Sequence, residues 1–512
     1  MIEKGKTNMK QYEVFELVIS GERPVGSDVA VDLAAEFTYE NGESVRVKGF
    51  YAGADTYKIR FLPVQTGKVS WKVTGIVQEA GEEVCEANPS GKGIVKAVGT
   101  HFEYQNGERF SPFGTTVYAL GHQDKALIEE TFASLAEAPF NKVRHCMFPK
   151  HYDYNHNEPE YYAFEKKEDG SWDVNHPCFA YWDHMEELIH RLGAMGIQSD
   201  LILFHPYDRW KFSEMSMEDN LTYLDYLLRR FAAIPYIWWS LANEYDLCFA
   251  KTMEDWHTME QYVHDNDPYG HLLSNHNCFK FYDFSRENIT HCCLQTAAMH
   301  RVDEFIKKYN KPVVYDECCY EGDIQHSWGN ISGFEMASRF WKGCVQGAYV
   351  THGETFYSED EVLWWARGGK LKGESPKRIA YLRKFIEELP GALEPWDAPW
   401  MIQVLAMKDS EEAKNVPVVG LICSVDPVDL EDMSWKDAQF GGHIGEQVYV
   451  KYLGSQTCRL FFFNLPETHK YKIEVIDIWE MTRTTLFEEA SGNTRCMLPG
   501  KEGIAVVATA ID

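Results

Sequence analysis

The sequence has few positive charges and no long apolar run, and both absences exclude classes of partner. Its 512 residues contain 50 Lys and Arg against 78 Asp and Glu, a formal net charge of −28. Such a surface repels phosphate backbones and anionic lipid, so we expect neither a nucleic acid nor a membrane as partner. No stretch approaches the roughly 20 apolar residues of a membrane span. The first seven residues, MIEKGKT, also lack the apolar core of a signal peptide.

Cysteine motifs of the metal-binding or redox type are missing as well. The 13 cysteines are an odd number, none stands in a C-x-x-C motif, and two adjacent pairs occur at Cys292-Cys293 and Cys318-Cys319. Cysteines scattered through apolar stretches are typical of buried reduced thiols rather than of a disulfide framework. Together with the missing signal peptide, this usage predicts a cytoplasmic protein.

The chain is long and apolar enough for two or three domains, being 45% hydrophobic and 14% aromatic. Residues 1–96 carry short alternating β segments separated by turn signals such as Asn41-Gly42, a pattern typical of an immunoglobulin-like β-sandwich. Residues 393–512 return to short strands and predict a second sandwich. Its expected strands are Met401–Met407, Pro417–Ile422, Gln447–Tyr452, Cys458–Phe463, Tyr471–Ile478 and Gly503–Thr509.

Between these regions, residues 97–392 alternate strands with amphipathic helices. The eight expected strands are Phe110–Val117, Lys142–Phe148, Ser199–Phe204, Ile237–Ala242, Leu272–Asn277, His291–Thr296, Pro312–Glu317 and Ala348–Thr355. A helical pattern separates most of them, although the one between strands five and six, Phe281–Glu287, is short. No Gly-x-Gly-x-x-Gly turn follows a strand, which disfavours a doubly wound sheet. The sequence therefore predicts an α/β (β/α)8 TIM barrel flanked by N-terminal and C-terminal all-β sandwich domains.

Two of these strands end in a carboxylic acid, where a barrel presents catalytic groups. The fourth runs into Asn243-Glu244, and the seventh ends at Glu317. Side chains alternate along a strand, so Glu244 is expected on the side of Ser240 and Ala242. Two carboxyl groups about 5 Å apart can cleave a glycosidic bond with retention. We therefore expect Glu244 and Glu317 to be catalytic.

With Asn-Glu ending strand four and Glu ending strand seven, residues 101–390 resemble the clan A retaining glycoside hydrolases. The domain order is similar to that of bacterial family-five-like glycosidases, and the Gly369–Gly373 segment resembles the related apiosidase-type group. The resemblance implies that Glu244 is the acid/base, that Glu317 is the nucleophile and that Asn243 binds the sugar 2-hydroxyl. It further implies that Arg144 supports the nucleophile, unless this arginine forms a structural salt bridge.

Other polar or aromatic residues end strands at substrate height and are candidate substrate contacts. Gln295 stands on strand six, where clan members carry His or Tyr, so a contact to the nucleophile from Tyr315 or Tyr320 is the alternative. The clan places a tryptophan beneath the sugar, and both Trp364 and Trp365 fit that position. The remaining candidates, each also explicable as a structural residue, are His205, His276, Asn277, His352 and Glu354.

Two other functions compete with this assignment. A metal-dependent amidohydrolase would need a His-x-His motif at the end of strand one, which reads Thr115-Thr116-Val117-Tyr118 instead. A non-catalytic carbohydrate-binding protein would be expected to lack one of the two glutamates. We therefore expect a β-glycosidase with no metal and no cofactor, exo-acting on oligosaccharides. A polysaccharide substrate, a homo-oligomer and the identity of the sugar stay open, and the sandwiches are expected to be structural.

Overall fold

The computed structural model describes residues 2–4, 8–396, 415–426 and 440–512. The chain divides into two compact units. One unit comprises residues 1–110, 114–295 and 357–371, and the other comprises residues 111–113, 296–356 and 372–512. None of the helices in the described ranges is both long and apolar enough to cross a membrane.

Eight parallel strands form one sheet in the order five, four, three, two, one, eight, seven, six, counted along the chain. They are Phe113–Thr116, Lys142–Cys146, Gln198–Phe204, Ile237–Ala242, Leu273–Ser274, Cys292–Gln295, Val313–Glu317 and Tyr349–His352. The Thr290 N–H donates to the Leu273 carbonyl (2.9 Å), which links the start of strand six to strand five. This strand order confirms the predicted (β/α)8 barrel.

Amphipathic helices follow seven of the eight strands. They are Lys125–Glu137, Phe179–Ala194, Met217–Phe231, Met253–Asn266, Val302–Tyr309, Gly333–Val345 and Ser375–Glu388. The helix expected at 281–287 is absent, because Asp283 accepts hydrogen bonds from the backbone N–H and the hydroxyl of Ser285 (3.0 and 2.6 Å) and so favours a turn. Short helices or 3₁₀ turns lie at Leu120–His122, Phe212–Glu214, Tyr245–Leu247, Met299–Arg301, Ser327–Gly329 and Trp364–Arg367.

The loops of the barrel carry two small sheets of their own. The long loop after strand two folds into a hairpin of Phe164–Lys166 and Trp172–Pro177. In the other unit, Glu321–Gly322 pairs with Glu354–Thr355. The predicted strand Ala348–Thr355 is therefore two strands in two different sheets, divided at Gly353.

The N-terminal region forms two four-stranded antiparallel sheets. In the first, the strand order is Ile2–Lys4, Phe15–Ser20, Thr56–Phe61 and Phe50–Gly53. In the second, it is Ser44–Lys48, Leu33–Tyr39, Gly67–Gly75 and Glu79–Cys85. Alternate residues from both sheets form one apolar core. Within it Phe37 and Phe61 stack with ring centroids 4.1 Å apart. A three-stranded sheet of Val95–Val98, His101–Tyr104 and Arg109–Phe110 follows. The predicted N-terminal β-sandwich is confirmed.

The C-terminal region contains a six-stranded sheet and a two-stranded sheet. The strand order of the larger sheet is Glu394–Pro395, Phe440–Ile444, Val448–Tyr452, Ile504–Ala510, Tyr471–Asp477 and Thr482–Ala490. The smaller sheet pairs Leu460–Asn464 with Asn493–Met497. Both contribute side chains to one core. The strand predicted at Pro417–Ile422 is wrong: Pro417–Ser424 is a helix with proline in its first turn, where the missing N–H is not needed. The strand predicted at Met401–Met407 lies outside the described residues.

Candidate active site

Glu244 stands just beyond strand four in an unusual backbone conformation. The strand ends at Ala242, and Glu244 has φ 53° and ψ 55°, in the left-handed region. The expectation that strand alternation orients Glu244 is therefore wrong, because the turn orients it instead. A non-glycine residue in this region costs about 1–3 kcal/mol, and such residues cluster at functional sites.

Both carboxylate oxygens of Glu244 accept a hydrogen bond, although the side chain is nearly buried. The Tyr207 hydroxyl donates to Oε2, and Gln295 Nε2 donates to Oε1 at 3.1 Å. The backbone N–H of Glu244 donates to His276 Nδ1 (3.4 Å). The carboxyl group is thus fixed from strand six on one side and from the loop after strand three on the other.

Gln295 takes a role that its position in the sequence did not indicate. Asn277 holds its main chain, accepting at Oδ1 from the Gln295 N–H (3.1 Å) and donating from Nδ2 to the Gln295 carbonyl (3.3 Å). The Gln295 side chain is thereby directed to Glu244, the candidate acid/base. Asn277 links strands five and six in the same contacts, which gives this predicted substrate contact a structural role.

Asn243, beside Glu244, is oriented by Tyr118, two residues beyond the end of strand one. The Tyr118 hydroxyl donates to Asn243 Oδ1 (2.9 Å), and both side chains are buried. Since Oδ1 accepts this bond, Nδ2 is the end of the amide that can donate elsewhere.

Arg144 and His205 are both buried and both have protein partners. Arg144 Nη1 lies 3.2 Å from Asp200 Oδ2, an oxygen that Lys142 Nζ also contacts at 2.9 Å. The structural salt bridge expected as the alternative for Arg144 is present, and its support of the nucleophile stays a prediction. His205 Nε2 lies 3.1 Å from the Phe148 carbonyl oxygen, and burial lowers the pKa of His205 to about 4.

The two tryptophans of the strand-eight loop differ in their surroundings. The Trp364 indole N–H donates to Thr115 Oγ1 (2.8 Å), so this ring packs into the barrel. The Trp365 ring lies 6.1 Å from the ring of Tyr118 and 6.1 Å from that of Tyr152. Trp365 therefore belongs to the aromatic group around Tyr207 and Glu244, while the indole N–H of Trp364, the predicted substrate contact, is taken up by a bond to strand one.

Sequence reasoning missed a buried lysine in this aromatic group. Lys150 Nζ lies 3.9 Å from the ring centroid of Tyr118, 4.4 Å from Tyr207, 4.9 Å from Trp365 and 5.5 Å from Tyr152. The available signal was a single lysine close to the end of strand two, where an aromatic-rich loop begins.

Glu317 is the last residue of strand seven, in the second unit. The residue is 9% exposed, and its carbonyl oxygen accepts from the Thr296 N–H (3.0 Å). Tyr315, on the same side of the strand, donates its hydroxyl to the Ala298 carbonyl (3.2 Å). Asp316 points to the opposite side and accepts from Thr351 Oγ1 (2.8 Å). Alternation along the strand thus separates Glu317 from its acidic neighbour, as expected.

Comparison with known families decides the identity of the barrel. Residues 97–398 match the family model "Apiosidase-like, catalytic domain". The chain belongs to the apiosidase-like family. Residues 8–75 and 435–509 match two domains of unknown function, DUF5060 and DUF5605. No curated protein matches the chain.

Solved structures agree with this membership. A Bacteroides vulgatus ATCC 8482 protein, provisionally assigned as a glycoside hydrolase, is 32% identical with a TM-score of 0.87 over 99% of this chain and 100% of its own. A glycoside hydrolase of family 5 from the same organism is 15% identical with a TM-score of 0.60, covering 82% of this chain and 93% of its own. A third structure, a glycoside hydrolase, is 13% identical with a TM-score of 0.59, covering 82% and 97%. The prediction of a glycoside hydrolase is confirmed, and the two more distant structures share the fold.

The second unit of this apiosidase-like chain holds two further buried carboxylates, Glu354 and Glu321. Four consecutive backbone N–H groups donate to their four oxygens: those of residues 372 and 373 to Glu354 and those of residues 374 and 375 to Glu321. Burial and the neighbouring negative charge of Glu321 raise the pKa of Glu354 to about 7. The pair therefore caps the start of helix Ser375–Glu388, a structural role for the predicted substrate contact Glu354.

His352 completes a possible metal-ligand group with these carboxylates. Within the described ranges, Glu321, His352 and Glu354 place ligand atoms within 4.8 Å of one another. His352 is buried, which lowers its pKa to about 3, and its Nε2 lies 3.8 Å from Glu354 Oε2. Helix capping alone explains the placement of the two carboxylates. The expectation that the enzyme needs no metal stays a prediction.

Proposed function

We propose that this apiosidase-like protein is a retaining glycoside hydrolase that removes a terminal sugar from an oligosaccharide by cleaving a β-type bond. The observation that carries the proposal is the environment of Glu244: a buried carboxyl group beyond strand four, held in a left-handed turn, with a donor on each oxygen. Such placement suits a group that must present one oxygen at a fixed point during proton transfer. Glu317, ending strand seven, is assigned as its partner by the clan A resemblance.

The mechanism uses two displacements. Glu244 donates a proton to the glycosidic oxygen while the Glu317 carboxylate attacks the anomeric carbon, so that the C–O bond to the leaving group breaks and a glycosyl ester forms. Glu244, now ionised, takes a proton from a water molecule, whose oxygen attacks the same carbon and releases Glu317. Asn243 Nδ2 donates to the sugar 2-hydroxyl, a contact that strengthens as positive charge develops on the ring.

The substrate is proposed from the family description and from the aromatic group. Apiosidase-like membership makes a β-apioside the first sugar to test, and the Trp365 ring is proposed to pack against its C–H face. All thirteen cysteines lie in the described ranges as thiols rather than in disulfides, which supports a reducing, cytoplasmic compartment. Short oligosaccharides then suit the enzyme better than polymers. We also assign the N-terminal sandwich to the immunoglobulin-like class.

Azide rescue tests the assignment of the two carboxylates. In Glu317→Ala, azide should restore turnover of a 2,4-dinitrophenyl glycoside and yield a glycosyl azide of inverted anomeric configuration. In Glu244→Ala, azide should yield the azide of retained configuration. Asp316→Ala is the matched control, since its carboxyl group lies on the other side of the same strand, and azide should change neither its rate nor its products. Absence of rescue in Glu317→Ala would refute the nucleophile assignment, and proton NMR that shows an inverted first-formed sugar would refute retention.

A further inference from the structure

Lys150 has surroundings that are rare for a lysine. It is 4% exposed, and its ammonium group lies 3.9 Å from the ring centroid of Tyr118 and 4.4 Å from that of Tyr207. Cation–π attraction operates within about 6 Å of a ring centroid and is strongest where water is excluded. Four aromatic rings meet this condition around Lys150, counting those of Trp365 and Tyr152.

Two of these rings belong to the tyrosines that hydrogen-bond Asn243 and Glu244. The Tyr118 hydroxyl donates to Asn243 Oδ1, and the Tyr207 hydroxyl donates to Glu244 Oε2. Tyr118 lies two residues beyond strand one and Tyr207 lies in the loop after strand three, so they are not neighbours in the sequence. The cation of Lys150 contacts both rings.

We propose that Lys150 is a positioning residue for the Asn243–Glu244 pair, acting through the rings of Tyr118 and Tyr207. Its charge holds both rings in place, and by withdrawing electron density from them it makes both hydroxyl groups stronger donors. Loss of the charge weakens the hold on the Tyr207 ring, which also packs against Tyr152. The Tyr207 hydroxyl then moves away from Glu244, whose carboxyl group keeps the Gln295 bond. This inference rests on the proposed function, because it assigns a consequence to the acid/base role of Glu244.

The variant Lys150→Met removes the charge and keeps a long unbranched side chain. The probes are the 4-nitrophenyl and 2,4-dinitrophenyl glycosides of one sugar, beginning with β-apiose. The 4-nitrophenyl group needs more protonation on leaving, so acid misplacement lowers its kcat/KM by about thirtyfold, the size of one desolvated cation–π contact. The 2,4-dinitrophenyl substrate should lose much less. Lys150→Arg, which keeps the charge, should restore part of the lost activity.

Lys251→Met is the matched control. Lys251 is also nearly buried, with Nζ 5.0 Å from the Phe204 ring, but that ring carries no hydroxyl group. This variant should affect the two substrates equally. Crystal structures of both variants give a readout that needs no substrate: only in Lys150→Met should the Tyr207 hydroxyl leave Glu244 Oε2.

The Glu244→Ala variant distinguishes a failure of the Lys150 inference from a failure of the proposed function. If it loses activity preferentially on the 4-nitrophenyl substrate and Lys150→Met does not, the inference about Lys150 is overturned while the function stands. If Glu244→Ala itself shows no leaving-group dependence, the acid/base assignment fails. Retention of the Tyr207–Glu244 bond in crystals of Lys150→Met would overturn the inference whichever sugar is the substrate.

Discussion

Replacing Glu354 by Gln is expected to change how the stability of the protein depends on pH. The pKa of Glu354 is raised from an ordinary value near 4.5 to about 7 by burial and by the negative charge of Glu321. The folded state therefore binds a proton that the unfolded state releases between these values. Unfolding free energy then falls as pH rises through this window, by about 3 kcal/mol at 1.36 kcal/mol per unit, and stays constant above pH 7.

Glutamine does not titrate, but its amide nitrogen replaces one of the two oxygens that accept backbone N–H groups. Glu354→Gln should therefore be less stable than the wild type at pH 5, by about 1–3 kcal/mol for the unsatisfied donor, and this difference should shrink by up to about 3 kcal/mol at pH 8. The measurement is the unfolding free energy in denaturant at both pH values, taken as a difference between variants so that other titrating groups cancel. Ser332→Ala is the matched control: it removes the hydroxyl cap of helix Gly333–Val345 and should cost about 1 kcal/mol at either pH. Parallel pH profiles for wild type and Glu354→Gln would refute the reasoning.

Three further outcomes are expected. Gly373→Ala should lower the melting temperature, because the added Cβ would collide with the Glu354 carboxyl group. Gly420→Ala is the control and should not lower it, because a Cβ at Gly420 would meet open space. Equal melting temperatures for the two variants would contradict the close packing around Gly373. Acidification from pH 6.5 towards pH 3 should destabilise the fold, because burial lowers the pKa of His122 and His352 to about 3. In this pH range these histidines bind protons in the unfolded chain but not in the folded one. A melting temperature that does not change over the range would contradict this prediction. Titration of thiols in denaturant without reductant should give thirteen, and a lower count would reveal disulfides.

The barrel could be predicted because apolar residues recur with a different period along its strands than along its helices. Strand four, Ile237–Ala242, is a run of six buried residues, since helices cover the outer face of the barrel and strand side chains fill its interior. Its predicted bounds are those observed. The helix Pro417–Ser424 could not be recognised in the same way. Its apolar residues are consecutive, and a short apolar run suits a buried strand equally well.

The candidate site was predictable in its residue types and less so in its contacts. The acids at the ends of strands four and seven follow from a general property of barrels, whereas Gln295 reaches Glu244 because the Asn277 side chain hydrogen-bonds the Gln295 backbone. Lys150 escaped notice because a lysine in a loop is usually solvated, and only the folded chain brings Tyr118 and Tyr207 to its ammonium group. Contacts among loops that are distant in sequence leave no periodic pattern.

The left-handed backbone of Glu244 brings heat resistance and activity into conflict during directed evolution. Glycine adopts this conformation without strain, so Glu244→Gly would relieve it while removing the carboxyl group. A selection for thermal tolerance alone would accept that replacement wherever the relief of about 1–3 kcal/mol offsets the loss of the bonds from Tyr207 and Gln295, and inactive variants would then accumulate at this codon. Libraries screened for robustness should hold position 244 fixed.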